Sequence, residues 1–570
     1  MRNILVLISG LLLATPIAVA EDGTNASAGA PLESIDGVFL DTVDVNIVNV
    51  DVYVTDKKGN RITGLTKDDF ELYEDGKPVV ITNFYAVEEG TVKEGGIPLE
   101  PLDELAPPEN FGSVAAAPED QRLSLIVYVD NFNLHPFSRN RAFSYVRSFL
   151  RQKMKIGDRV MLVSYDRTLN ERQPWTQDPE LVASALYDLE DKSAHRVHWD
   201  SDRRDLLEAI FEADRISDVR GRVQTYAENL YNDMRFTIKA LRELVEHLAG
   251  LPGRKAILYI SDGLAMRTGE DLYYALDEKF RNRNASTNGL LMEAFRFDLT
   301  RDFQQLTRIA NSNRVTFYTL DAEGLRTYSY YDVRNAVPGG SSFVDQTHFH
   351  NLQAPLQMLA EETGGFAMIN TNNFSAPLAR MGEDFTTYYS LGYSPATTAS
   401  GRFHEIEVKV KNRKGVVVRH RSGFRNKPLP TRMSEGTLAA LYHGYESNPI
   451  GARLDVGNEV RRDDGYYDVP LTIRVPIKSL ELLPLQGMYR GRLRFYIAAR
   501  DSEGGMSPVQ DIPVPIDIQA DQLQDAREKY YAYDLTLMMR RGGQRVAVGI
   551  HDEIGADSAF ISTTVFIGRR

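Results

Sequence analysis

The chain has no cysteine. That one absence removes disulfides, thiolate metal ligands, cysteine nucleophiles and lipid attachment through cysteine. An excess of positive charge is missing too. The formal charge at pH 7 is -13, which disfavours nucleic acid and anionic membrane as partners. Beyond residue 20 no apolar run is long enough to span a bilayer, so no membrane span is expected. The sequence also lacks His-Glu-x-x-His, Gly-x-Ser-x-Gly and Gly-x-x-x-x-Gly-Lys. These gaps point away from metalloprotease, serine-hydrolase and P-loop chemistry.

What is present is a folded composition, 42% hydrophobic and 25% charged over 570 residues. A chain of that length is expected to form about two to four domains. Met1-Arg2, the apolar run Ile4 to Leu13 and Ala18-Val19-Ala20 predict a signal peptide over residues 1–20. The mature protein is therefore expected in the periplasm or outside the cell. Residues 21–34 read as a flexible tail.

Four short runs carry the strongest pattern. Leu123 to Asp130, Arg159 to Asp166, Lys255 to Asp262 and Arg314 to Asp321 are apolar, β-branched and end in aspartate. Such runs suit strands buried on both faces of a parallel sheet. If they are parallel neighbours, Asp130, Asp166, Asp262 and Asp321 share the C-terminal rim, where open α/β sheets take their ligands. Helical periodicity between the strands, as in Leu230, Met234, Ile238, Leu241 and Val245, predicts an α/β domain over residues 122–396, with Tyr388 to Tyr393 as its last strand. Three segments interrupt the rhythm near strand ends and could overhang the rim. They are Asp191 to Glu228, Leu264 to Phe297, and a loop over Leu325 to Asn351 that holds Tyr328, Tyr330, Tyr331, His348 and His350.

The flanks are β-rich. Val50, Val52 and Val54 alternate with polar residues, and residues 35–89 read as a small β unit. Residues 90–121 are rich in Pro, Glu, Gly and Ala and read as a linker. A hairpin over residues 403–426 is expected to complete the β unit, with the α/β domain inserted between its halves. Residues 430–570 show repeated alternation, as in Val469, Leu471, Ile473 and Val475. They predict an all-β sandwich of roughly seven strands.

The strand ending in Asp130, Pro252-Gly253-Arg254-Lys255 leading to Ser261-Asp262-Gly263, and the Arg314 strand together resemble a von Willebrand factor A domain. Gly64-Leu65-Thr66-Lys67-Asp68-Asp69-Phe70 with Glu74-Asp75-Gly76, Tyr388 to Pro395, and Ser422-Gly423-Phe424 resemble the flanks of the bacterial von Willebrand factor A-related family. The likeness runs from about Val43 to Phe424. It implies a Rossmann-like binding domain with a metal-ion-dependent adhesion site, holding Mg²⁺ or another divalent cation at the rim. In that site a first loop supplies Asp-x-Ser-x-Ser, a second a threonine and a third an aspartate. Mg²⁺ wants near-octahedral oxygens and keeps several waters. Asp130 and Asp262 match the two aspartates, while Phe132 and Leu134 occupy the serine positions. Asn133 could substitute with its amide oxygen, and Thr237 is the candidate threonine, with Thr225 further back. Without an ion, the rim acids would be satisfied by backbone N–H groups or by Arg139 or Arg267.

Function is expected to be adhesion-type binding of a protein partner, with Asn131, His135, Asp166 and Asp321 as the partner-facing rim. Two alternatives compete with it: an envelope hydrolase working through the acidic rim with His135 as base, and a structural component with a vestigial metal site. Asp501 and Glu503 beside Gly504-Gly505 could hold Ca²⁺ or simply form a charged hairpin tip.

Overall fold

The structure, a computed structural model, describes residues 47–88, 91–94, 122–154, 157–281, 289–326, 341–395 and 401–568. The expected signal peptide, tail and most of the linker lie outside these residues, as do Tyr328, Tyr330 and Tyr331. The chain divides into two compact units. One comprises Asn46–Glu246 and Pro252–Asn426; the other is formed chiefly by Lys427–Arg570.

The first unit holds the α/β domain. Its six-stranded sheet runs Ala367–Met368, Val315–Asp321, Arg254–Ser261, Leu123–Asp130, Arg159–Tyr165, Leu169–Thr176. All pairings are parallel except the last, a hairpin. The Leu123–Asp130 strand is central and buried at every position, which is why its sequence is continuously apolar rather than alternating. Val127 sits in register between Leu258 and Leu162. Helices Pro136–Lys153, Pro179–Glu190 and Ser375–Thr386 bring Ala142, Val146, Val182, Leu186, Leu378 and Met381 into one core with Leu125, Val127 and Val129. Each fully buried Val, Leu or Met side chain among them contributes about 1.5–3 kcal/mol.

The same unit contains two antiparallel sheets. One runs Val416–Arg419, Val48–Asp56, Tyr388–Tyr393, Asn83–Glu88, Thr91–Glu94; the other runs Gly423–Arg425, Phe403–Val410, Phe70–Glu74, Lys77–Val79. Val50, Val52, Phe70, Leu72, Phe84, Leu391 and Ile406 fill the core between them. Tyr388–Tyr393 is therefore not the last strand of the α/β sheet. Leu391 pairs with Val50 on one side and Phe84 on the other. An apolar strand reports that it is buried, not which sheet buries it. The Glu74–Lys77 turn has positive φ at both Asp75 and Gly76, the hairpin geometry that Asp-Gly favours.

The second unit has two antiparallel sheets. Tyr467–Pro476 pairs with Arg453–Val456, Val460–Arg461 and Tyr530–Met539. Met488–Asp501 pairs with Leu483–Leu485, Gln510–Gln519 and Gly542–Asp552, which in turn pairs with Ser558–Ile567. Val469, Leu471, Ile473, Phe495, Val548 and Ile550 share one core. The unit is not all-β, because a helix, Leu429–His443, precedes the sheets. Its buried residues mix small side chains, Gly436, Thr437, Ala439 and Ala440, with Met433 and Leu441. A Cβ at Gly436 would stand 2.3 Å from the ring of Phe560. Small residues let the helix lie close on the sheet, and they also weaken the apolar periodicity that announces a helix.

No helix among the described residues is long and apolar enough to cross a membrane.

Candidate functional site

Parallel pairing carries the four strand-end acids to one edge of the sheet. Their environments then separate them. Asp130, Asp262 and Asp321 are 0% exposed, whereas Asp166 is partly exposed and meets His195 Nε2 at 3.0 Å.

The turn after the central strand makes Asp130 a local cap. Its Oδ1 accepts the Asn133 N–H at 3.3 Å. Its Oδ2 accepts from Asn133 Nδ2 at 2.9 Å, from Ser261 Oγ at 3.3 Å and from the Tyr259 hydroxyl. Burial pushes the Asp130 pKa up to about 6 despite these bonds. Asp262 accepts the His135 N–H at 2.6 Å and the Ser138 hydroxyl at 2.7 Å, both on Oδ2. Burial, with the Glu323 charge adding to it, pushes its pKa up to about 7. Asp321 is held by Arg326 at 3.0 Å and by Gln353 at 2.9 Å. Neither Arg139 nor Arg267 answers a rim acid. Arg139 donates to Asn131 Oδ1 and to the Glu190 and Lys192 carbonyls. Arg267 pairs with Asp298 and Glu270.

Two segments seal the rim. The chain before helix Arg196–Glu212 lies on the first loop: His195 N–H reaches the Asn131 carbonyl, and Arg196 N–H the Leu134 carbonyl. Asn131 Nδ2 bonds the Ser193 carbonyl at 2.5 Å. Helix Ser342–Glu362 closes from the other side, with its Leu352 carbonyl accepting the Leu264 N–H at 3.1 Å. The last part of the expected tyrosine loop is thus helical. His348 lies in it, mostly covered, 3.5 Å from Asp271. Asn131 and Asp321, expected to face a partner, are buried instead. His135 and Asp166 keep partial exposure. His135 also binds Asp200 at 2.6 Å; burial opposes its charge, but the Asp200 carboxylate outweighs burial and raises its pKa.

The donor set can be tested against a divalent cation. Phe132 packs on Tyr165 and His195, and Leu134 lies in the α/β core, so neither serine position carries an oxygen. Thr237 lies on helix Ser217–His247, where its hydroxyl donates to the Asp233 carbonyl at 3.2 Å. The oxygens of Asp130 already accept internal donors. Among the described residues, Asn133 Oδ1 and Asp262 Oδ1 are buried acceptors with no partner. One amide and one carboxylate oxygen in a sealed site do not fit an ion that keeps several waters and an open position for a partner's carboxylate. Elsewhere, Glu74, Asp75 and His404 form a histidine–carboxylate group that the sequence reading did not single out. His404 Nδ1 stands 2.9 Å from Asp75 and 3.3 Å from Glu74, an ordinary lock between a turn and its neighbouring strand. Asp501 likewise accepts the N–H groups of Glu503 and Gly505 as a hairpin turn.

No family model and no curated protein matches the chain. Solved structures similar to it include three N-terminal domains of the type V pili tip protein Mfa5 from Porphyromonas gingivalis, at 9% identity and TM-score 0.24, covering 76% of this chain and 75% of that one. A von Willebrand factor type A protein from Catenulispora acidiphila is 10% identical at TM-score 0.22, over 78% of this chain and 65% of that one. Manganese-loaded TRAP protein from Plasmodium vivax is 8% identical at TM-score 0.20, over 54% and 95%. At these scores the likeness carries no weight on function. The chain's own strand order, strand-end acids and flanking motifs resemble those of a von Willebrand factor A domain, without the paired hydroxyls of that domain's metal site.

Proposed function

We propose that the chain is an exported, non-enzymatic binding protein that holds a protein partner at the perimeter of the sealed rim. One observation carries this reading: large apolar side chains stand exposed on backbone anchored to the rim. Phe137 is 80% exposed, Leu325 61% and Val197 53%. Phe137 lies two residues after His135, whose N–H bonds Asp262. Leu325 precedes Arg326, whose guanidinium donates to the Asp262 carbonyl at 2.7 Å. Val197 follows Arg196, which reaches the Gly263 carbonyl at 3.5 Å. Exposed apolar groups on a rigid frame are what a docking surface requires. The cation has no part in this reading. A C-terminal β-sandwich serves in it as spacer and second contact surface, and the N-terminal segment directs export.

The test compares capture from an envelope fraction by the full chain and by Phe137→Glu/Leu325→Glu. The wild type is expected to retain a partner that the variant releases, with both equally folded in urea. Equal capture by both would sink the proposal. So would turnover in a broad hydrolase screen that Asp130→Ala abolishes.

A further inference from the structure

Arg61, Arg380 and Arg419 come from distant parts of the chain and meet in the first unit. Arg61 follows the Asp56–Asn60 turn, Arg419 ends the Val416–Arg419 strand, and Arg380 lies on helix Ser375–Thr386. Arg61 and Arg419 stack over the Tyr53 ring at 5.9 and 5.0 Å. Arg380 and Arg419 stack over Phe366 at 4.6 and 5.1 Å.

Negative charge at this spot is short. The buried Asp384 carboxylate serves both Arg61 and Arg419, with Arg419 Nη2 at 2.7 and 2.9 Å, and it also accepts the Tyr318 hydroxyl. Glu383 is half-exposed and only reaches 3.9 Å from Arg61 Nε. Arg254 is nearby but has its own acid, Asp51, at 3.3 Å. Arg61 and Arg419 therefore share one close carboxylate, with a second distant from Arg61, and Arg380 brings a third guanidinium to the Phe366 ring it shares with Arg419. The excess is visible on the arginines themselves. Burial and then Arg419 push the Arg61 pKa down to about 10, and the same pair of causes lowers Arg380.

Donors are left over as well. Among the described residues, Arg61 Nε and Nη1, Arg380 Nε and Arg419 Nε are buried with no hydrogen-bond partner. Buried polar groups are nearly always satisfied, and a buried unpaired charge is strongly destabilising. Four leftover donors on three converging cations call for an acceptor that carries negative charge and several oxygens. A planar carboxylate matches the fork of one arginine. Donors spread over three side chains from three elements suit a tetrahedral group better.

We propose that Arg61, Arg380 and Arg419 form a binding site for a small tetrahedral oxyanion, phosphate or sulfate, which clamps the antiparallel sheet of Val48–Asp56 and Val416–Arg419 to helix Ser375–Thr386. The site is independent of the rim and of any partner bound there.

The test is titration of the full chain in a Tris chloride buffer with inorganic phosphate, sulfate and acetate at matched ionic strength. Calorimetry reads binding and thermal unfolding reads stabilisation. Saturable binding of phosphate or sulfate, weaker for acetate by tenfold or more, is the expected result. Arg380→Gln should lose that binding by tenfold or more while unfolding cooperatively. Should Arg380→Gln fail to fold, Arg380→Lys keeps the charge without the planar fork and is expected to bind more weakly than wild type. No saturable oxyanion binding by the wild type would overturn the proposal. Acetate binding as tight as phosphate, or full binding by whichever Arg380 variant folds, would do the same.

Discussion

Arg326 places one guanidinium nitrogen 3.0 Å from each carboxylate oxygen of Asp321 and donates from the same nitrogen to the Asp262 carbonyl. One side chain thus neutralises a buried strand-end acid and fastens the neighbouring loop. Both partners are almost fully buried, 4% and 0% exposed at the side chain.

Arg326→Met keeps the volume and removes the charge. Breaking a buried pair from one side leaves the other charge uncompensated, which costs about 3–5 kcal/mol. Urea unfolding of the full chain is expected to show a loss of that order. A change under about 0.5 kcal/mol, the range of ordinary surface substitutions, would mean that Asp321 does not depend on Arg326.

The rim acids also impose a pH dependence. Asp130 and Asp262 are raised to about 6 and about 7 from an ordinary 3.8. Between pH 4 and 7 the folded chain keeps protons that the unfolded chain has released. The stability these groups contribute therefore falls as pH rises through that window and levels off above it. Asp262→Asn removes the larger share. Relative to wild type, its unfolding midpoint should rise from pH 5 to pH 8. A constant difference across that range would refute the raised Asp262 pKa.

Gly263 carries a separate constraint. Its φ is +113°, and a Cβ there would lie 2.8 Å from Leu352 Cβ and 2.9 Å from the Leu352 carbonyl oxygen. Left-handed backbone strain and overpacking each cost about 1–3 kcal/mol. Gly263→Ala is expected to lower stability by at least about 1 kcal/mol and to speed hydrogen exchange in helix Ser342–Glu362, which seals the rim. Unchanged exchange there would show that the close approach does not hold the helix down.

A rim without a cation predicts silence toward metals. Mg²⁺ or Mn²⁺ should leave the thermal midpoint where a chelator leaves it, because only a ligand of the folded state shifts the equilibrium. A metal-dependent rise that Asp262→Asn removes would restore the adhesion-site reading.

Much of the α/β domain is legible residue by residue. Leu125 to Val129, Val160 to Val163, Ile257 to Ile260 and Phe317 to Leu320 are buried on both faces, and that burial demands the continuous apolar runs seen in the sequence. The acids that end those runs lie at the strand ends, as parallel pairing requires. Helix Leu429–His443 was less legible, because only Met433 and Leu441 are large among its buried residues and Gly436, Thr437, Ala439 and Ala440 fill the rest of that face. The sheet membership of Tyr388–Tyr393 was hidden for another reason: its partners, Val48–Asp56 and Asn83–Glu88, lie some three hundred positions earlier.

The sequence by itself determined the strands, their terminal aspartates and the replacement of two serine positions by Phe132 and Leu134. These follow from local side-chain chemistry and from a period that burial imposes. Only the tertiary structure decided what those aspartates face. Burial of Asp130 under Tyr259 and Asn133, closure of the rim by segments from Ser193 and Leu352, and the meeting of Arg61, Arg380 and Arg419 all depend on long-range packing. Hydrogen-bond satisfaction and charge balance are properties of neighbours in space, and no spacing along the chain encodes them.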